Sequence, residues 1–342
     1  MLRLTYHSLE TPEFELFGFH WFPQDFLLRR LPLQPGLDFR PGVESLAWNT
    51  AGGRLRFRTD SRRIVLRGVR YGQGVMDHMS ATGSHGFDLY FGAAGHERFV
   101  NACSCAQGDD NAFKITILDT KDYDFRDITI FFPPYEGIKR LEVGLETGAI
   151  LKRSRAFAED ARPIVVYGTS ITQGGCASRP GLIWTNQLSL KLRRDIYNFG
   201  FSGNGMGEPE VAQALAQIPD PALFILDYEA NICGKLPETL PAFLDILREK
   251  HPDTPILMLS SYHFTPVHAQ AHLQPNRQFV LAEIARRQKA GDTRISFLDG
   301  EKTMAPEGAD GTVDGVHATD LGFYRIVQAL APHVEKLLSI KE

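Results

Sequence analysis

The sequence predicts an all-β sandwich followed by a three-layer α/β/α domain on a parallel sheet, and three observations carry that prediction. Up to about residue 155, short strand-like runs separated by turns dominate, with no convincing helical period. Beyond that point five strand-like runs alternate with helical stretches. At 342 residues the chain exceeds the usual single-domain size, so two domains are expected. We place them at 1–156, a jelly-roll-like β-sandwich, and at 157–342, the α/β/α domain.

In the first part, Leu55-Arg56-Phe57-Arg58-Thr59 alternates apolar and polar residues, and the turn Asp60-Ser61 leads into Ile64-Val65-Leu66-Arg67-Gly68-Val69. Phe87 to Phe91, Phe113 to Ile117, Asp127 to Phe132 and Leu141 to Leu145 supply further strands. In the second part the strand-like runs are Pro163 to Tyr167, Ile196 to Gly200, Leu223 to Asp227, Pro255 to Ser260 and Arg294 to Leu298. Helices are expected over Ile183 to Arg194, Pro209 to Ile218, Pro237 to His251 and Asn276 to Lys289. A closing helix over Asp320 to Ile340 is marked by Leu321, Tyr324, Val327, Leu330 and Val334 at helical spacing. Strands and helices alternating in this way build a parallel sheet covered on both faces.

Composition excludes several functions. A hydrophobic content of 43% and a charged content of 23% are ordinary for a globular protein with a full core. The formal charge of -4, without a long basic run, argues against nucleic acid as a partner. No apolar stretch approaches the roughly 18 residues that a membrane span needs, so no membrane partner is expected. The N-terminus lacks the n-region and h-region of a signal peptide, which makes the cytoplasm the expected location. Cys103, Cys105, Cys176 and Cys233 form no zinc-type pair of knuckles and read as reduced thiols.

The chemistry-bearing residues lie after the predicted parallel strands, where open α/β sheets bind their ligands. Ser170 follows the first of these strands and opens a helix; Gly203, Asn231 and Tyr262-His263 follow later ones. Asp314-Gly315-Val316-His317 precedes the closing helix. A serine hydroxyl needs a positioned base, which His317 can supply, with Asp314 fixing its tautomer. The Ser170 N–H, the Gly203 N–H and the Asn231 amide can serve as oxyanion donors. Alternatively, Ser170 caps a helix or binds phosphate, although no P-loop lysine accompanies it.

At these positions the chain resembles the SGNH (GDSL-type) hydrolase superfamily. The four family blocks correspond to Gly168-Thr169-Ser170, to Asn198 through Gly205, to Asp227 through Asn231, and to Asp314 through His317. Two departures stand out: Thr169 replaces the usual Asp of Gly-Asp-Ser, and Glu229-Ala230-Asn231-Ile232 stands for Gly-x-Asn-Asp. The resemblance implies Ser170 as nucleophile, Gly203 and Asn231 as oxyanion donors, and His317 with Asp314 as base and orienter. Residues Gly168 through Gly181 look like the nucleophile segment of a two-domain subgroup. Gly86-Phe87-Asp88-Leu89-Tyr90 looks like the G-x-D-L-Y motif that names this subgroup's N-terminal β domain.

Three further residues are candidates for holding substrate: Arg179 beside the nucleophile helix, His263 after the fourth parallel strand, and His78 in the loop Met76-Asp77-His78-Met79. His263, His268 and His272 invite a metal reading but lack an acidic partner, so no metal site is assigned and no cofactor is expected. The expected activity is hydrolysis of short-chain acyl esters, acetyl foremost, on a small molecule or oligosaccharide, through an acyl-serine intermediate. A lysophospholipase or thioesterase with longer acyl preference is one alternative; a catalytically inactive glycan-binding protein is another. The β domain can equally serve as a surface for a homo-oligomer.

Overall fold

Alternation along the N-terminal strands sends every second side chain into one apolar core. The computed structural model describes residues 3–74, 76–106, 111–157, 160, 162–232, 234–262, 264–266, 270–304 and 308–339. In the first domain β1 (Leu4–Ser8), β9 (Ile138–Glu146), β4 (Arg63–Arg70) and β7 (Ala112–Asp119) form one antiparallel sheet in that order. The second sheet runs β10 (Leu151–Lys152), β3 (Arg54–Thr59), β8 (Arg126–Phe131), β5 (Gly86–Phe91), β6 (Arg98–Ser104), with β2 (Glu15–Phe17) also paired to β3. Leu55, Phe57, Phe87, Leu89, Ile128 and Ile130 of the second sheet bury into the same core as Leu66, Ile117, Val143 and Leu145 of the first. The result is a β-sandwich.

The fully buried Arg54 projects from the opposite face of β3. It donates to Ser189 Oγ at 2.6 Å and lies 4.3 Å from the centre of the Phe157 ring. The second domain thus covers one end of this sheet.

In the second domain β12 (Ile196–Gly200), β11 (Ile164–Gly168), β13 (Leu223–Asp227), β14 (Ile256–Leu259) and β15 (Ile295–Leu298) form a parallel sheet in that order. Alternate residues face opposite sides. Ile164, Val166, Leu223 and Ile225 pack with helices Trp184–Leu192 and Asp320–Ser339. Val165, Tyr167, Phe224 and Leu226 pack with helices Pro209–Leu215 and Leu236–Lys250. The order reverses at β11, so the crevice between strand ends opens there, where doubly wound sheets bind ligands.

Two expectations about the first domain need correction. It is not free of helix: Phe22–Asp25, Pro41–Leu46 and Ala81–His85 are helical but too short to leave a periodic signal. Strands β1, β2, β6 and β10 add to those the sequence predicts. Of these, β6 lies at a sheet edge with Arg98 to Asn101 exposed, so it lacks the alternation that marks a half-buried strand. No helix among the described residues is long and apolar enough to cross a membrane.

Candidate active site

Three loops at the carboxyl edge are set by one row of residues. Gly168, Gly200 and Asp227 lie in register across β11, β12 and β13, and the chain leaves the sheet directly after each. Ser170 begins the helix Ser170–Gln173, so its own N–H has no intrahelical acceptor. Gly205, at φ +70°, lies so near the end of β11 that a Cβ there would sit 2.2 Å from the Gly168 carbonyl oxygen. Only glycine permits that approach, and it draws the loop after β12 against the turn that carries Ser170.

Ser170 Oγ lies 2.9 Å from His317 Nε2, and His317 Nδ1 lies 2.7 Å from Asp314 Oδ2. Asp314 Oδ1 also accepts the backbone N–H groups of Val316 and His317 at 3.0 and 2.8 Å. Partial burial pushes the Asp314 carboxyl up, but the His317 backbone and ring N–H groups and the Val316 N–H outweigh it. Asp314 is thereby held below the usual carboxylate range. An ionised Asp314 keeps the ring proton on Nδ1 and turns the Nε2 lone pair toward Ser170.

The proposed oxyanion donors share the same cavity of about 410 Å³, which also receives Ser170 and His317. Gly203 sits at φ +64° with open space where a Cβ would be. Asn231 Nδ2 donates to the Asn204 carbonyl at 2.6 Å, which fixes the amide and leaves its second N–H free to point at substrate. Gln173 ties the parts together: its Nε2 donates to the Pro134 carbonyl at 3.0 Å and its Oε1 accepts the Ser202 N–H at 2.9 Å. These bonds hold the Asn231 amide and the loop that carries Gly203 in fixed positions at the cavity.

The β domain contributes to this site directly. His78 lines the cavity, its ring centre 5.5 Å from that of His317. Tyr135 OH donates to the Ser170 carbonyl at 3.2 Å. The fully buried Arg30 donates to the Asn198 and Gly200 carbonyls at 2.9 and 2.7 Å, at the end of β12. No local sequence pattern announces Gln173, Tyr135 or Arg30, because their partners lie in other loops.

Arg179 is placed differently from the expectation. It does not line the cavity; its Nη1 donates to Asp88 Oδ2 at 2.8 Å and to Tyr90 OH, and its guanidinium lies 3.8 Å from the centre of the Phe99 ring. Asp88 Oδ2 also accepts the Gly181 N–H at 2.8 Å. The Asp and Tyr of the G-x-D-L-Y motif thus clamp the segment following the helix Ser170–Gln173. His263 and His268 lie outside the described residues, and His272 lines the cavity near Asn231. Cys103, Cys105 and Cys176 are free, while Cys233 also lies outside the described residues.

Two buried carboxyls underlie the site. Asp227 accepts Thr172 Oγ1–H at 2.6 Å and Tyr262 O–H at 3.1 Å, yet burial pushes it up to about 7. Glu229 stands where the family motif has glycine; it accepts the Ser261 N–H at 2.7 Å, and burial pushes it up to about 7 as well.

The comparisons match this architecture. The chain belongs to the GDSL-like lipase/acylhydrolase family of carboxylic ester hydrolases, whose model matches residues 161–335. Residues 4–151 match the GxDLY family, the N-terminus of SGNH-hydrolase-type esterases. Among solved structures, a protein described as a GDSL-like lipase from Bacteroides ovatus is 28% identical, covers 99% of both chains and has a TM-score of 0.90. A salicylyl-acyltransferase from a tetracycline biosynthetic pathway is 21% identical over 98% of both chains, with a TM-score of 0.79. A family two carbohydrate esterase from Clostridium thermocellum, in complex with cellohexaose, is 11% identical over 84% of this chain and 93% of its own, with a TM-score of 0.63. The last two likenesses concern the fold alone. No curated protein matches the chain.

Proposed function

We propose that this protein hydrolyses short-chain acyl esters, acetyl foremost, carried on a carbohydrate or similar polyol, through an acyl-serine intermediate. The observation that carries the reaction is the unbroken line from Asp314 through His317 to Ser170, at 2.7 and 2.9 Å. His317 takes the Ser170 proton as Oγ attacks the ester carbonyl, then gives it to the departing alcohol. The Ser170 and Gly203 N–H groups and the Asn231 amide hold the developing oxyanion. In the second half His317 activates water, which releases the acid and frees the serine. These steps use protein groups alone.

The substrate class rests on the cavity. Its volume of about 410 Å³ falls toward the low end of the roughly 300–1,000 Å³ range of small-molecule sites. Ile171, Ala230, Phe264, Leu273 and Val316 give it an apolar side suited to a small acyl group. Ser202, Asn231, His272 and Asn276 offer hydrogen bonds to an alcohol rich in hydroxyls. Carbohydrate esterases of the same fold support this choice by analogy.

The test is a p-nitrophenyl ester series from acetate to octanoate, run beside acetylated xylo- and cello-oligosaccharides. We expect kcat/KM to peak at acetate or propionate, with acetate released from the oligosaccharides. A preference for octanoate would overturn the short-chain reading in favour of a lysophospholipase or thioesterase. Asn231→Ala is expected to lower kcat about 10²–10³-fold with little change in KM, because the lost donor acts mainly on the transition state. An unchanged kcat would remove Asn231 from the oxyanion hole.

A further inference from the structure

Beside the catalytic line stands a group of residues that the ester chemistry does not require together. One potential ligand atom from each of His78, Cys176 and His317 lies within 4.8 Å of the other two. The three come from separate parts of the chain: the loop before the helix Ala81–His85, the turn after the nucleophile helix, and the loop before the closing helix.

We propose that His78, Cys176 and His317 form a three-ligand site for a thiophilic divalent cation of the zinc class, and that its occupancy switches the enzyme off. Two imidazoles and a thiolate are a soft donor set that favours zinc over magnesium or calcium. In a tetrahedral zinc site such donors stand about 3.3–3.8 Å apart. The observed group therefore needs a contraction of about 1 Å, which the exposed His78 loop is placed to supply. His78 and His317 both line the cavity, from which water could supply a fourth ligand.

Two features of the protein suit the metal independently of that grouping. Asp314 holds the Nδ1 side of the His317 ring at 2.7 Å, so Nε2 is the nitrogen that a metal would take. A carboxylate behind a ligating histidine is the usual support of zinc-bound imidazole. Cys176 sits at φ +74°. A side chain in that left-handed region is strained where glycine would not be. The chain carries a thiol at this strained position, directly beside the catalytic histidine.

On binding, the Cys176 S–H proton passes to solvent as the sulfur–metal bond forms, and both imidazoles coordinate as neutral rings. The metal then holds the His317 lone pair, and Ser170 loses its base. This inhibitory consequence rests on Ser170 and His317 acting as nucleophile and base; the metal site itself does not.

The test separates the two. ZnCl2 is titrated calorimetrically into the full chain carrying Ser170→Ala, in a buffer that does not chelate. We expect one bound equivalent, with affinity lowered about tenfold or more by Cys176→Ala and, separately, by His78→Gln. CoCl2 should give a thiolate-to-cobalt absorption that vanishes with Cys176→Ala. In the unaltered enzyme ZnCl2 should block p-nitrophenyl acetate hydrolysis and EDTA should restore it. Cys176→Ala should keep its metal-free rate within about threefold while needing about tenfold more zinc for inhibition. No zinc binding, or binding and inhibition indifferent to both substitutions, would overturn the site. Cysteine-dependent zinc binding by a protein that never hydrolyses esters would leave the site standing and reject the catalytic reading instead. The two variants lie in different domains, and thermal melts of each show whether lost binding comes from lost folding.

Discussion

Ser170→Ala is expected to lower kcat by about 10⁴-fold or more while moving KM little, because the hydroxyl does its main work in the transition state. His317 Nε2, 2.9 Å away, can still activate water, and the oxyanion donors remain, so a residual rate above the uncatalysed one should persist. His317→Ala should cost about as much, since an unactivated serine is a weak nucleophile at neutral pH. The double variant should be no slower than either single one, because base and nucleophile act as one unit. Losses that multiplied would mean that the two residues serve separate steps. Kinetics on p-nitrophenyl acetate measure all three.

The second large effect concerns the clamp between domains. Asp88 is fully buried; its Oδ2 accepts from Arg179 and Gly181, and its Oδ1 has no partner. Arg179→Ala removes the cation and leaves the carboxyl buried alone, which should cost about 3–5 kcal/mol of stability. The dependence on pH has a definite sign. Burial already pushes Asp88 up to about 6, against the Arg179 charge and the hydrogen bonds from Gly181 and Arg179. The folded state therefore holds a proton more tightly than the unfolded chain, and this group's contribution falls as pH rises from about 4 to about 6. Without Arg179 the carboxyl moves higher, and the fall continues to higher pH. The variant's deficit should thus be smaller near about pH 5 than near about pH 8, as measured by urea unfolding at both. Equal deficits would mean that Asp88 does not depend on Arg179 for its charge.

The sequence carried the fold of the second domain because each of its elements repeats a local physical rule. Ile164 to Tyr167 and Leu223 to Leu226 are unbroken apolar runs, as a sheet covered on both faces demands. Of the five positions at helical spacing in the closing helix, Val327, Leu330 and Val334 are buried, whereas Leu321 and Tyr324 in its first turns are exposed. Ser170 was legible for a related reason: a serine between a buried strand and a helix start has few other uses when an Asp-x-x-His follows at the right end of the fold. Local pattern failed where partners are distant in sequence. Arg179 looked free to hold substrate because Asp88, 91 residues earlier, leaves no mark near it. Arg30 sits in an apolar stretch, and nothing there tells that its guanidinium caps the carbonyls of a strand in the other domain. Cys176 reads only as a reduced thiol in the sequence, since neither the fold of its turn nor the approach of His78 can be drawn from spacing.

The central claim is that Ser170 becomes acylated. Intact-protein mass spectrometry, on samples quenched during turnover of a slowly deacylating ester, tests it most directly. The account predicts one added acyl mass, mapped by peptide analysis to Ser170, reduced in Asn231→Ala and absent in Ser170→Ala. Acylation at another residue such as Cys176, or hydrolysis at full rate by Ser170→Ala, would contradict it.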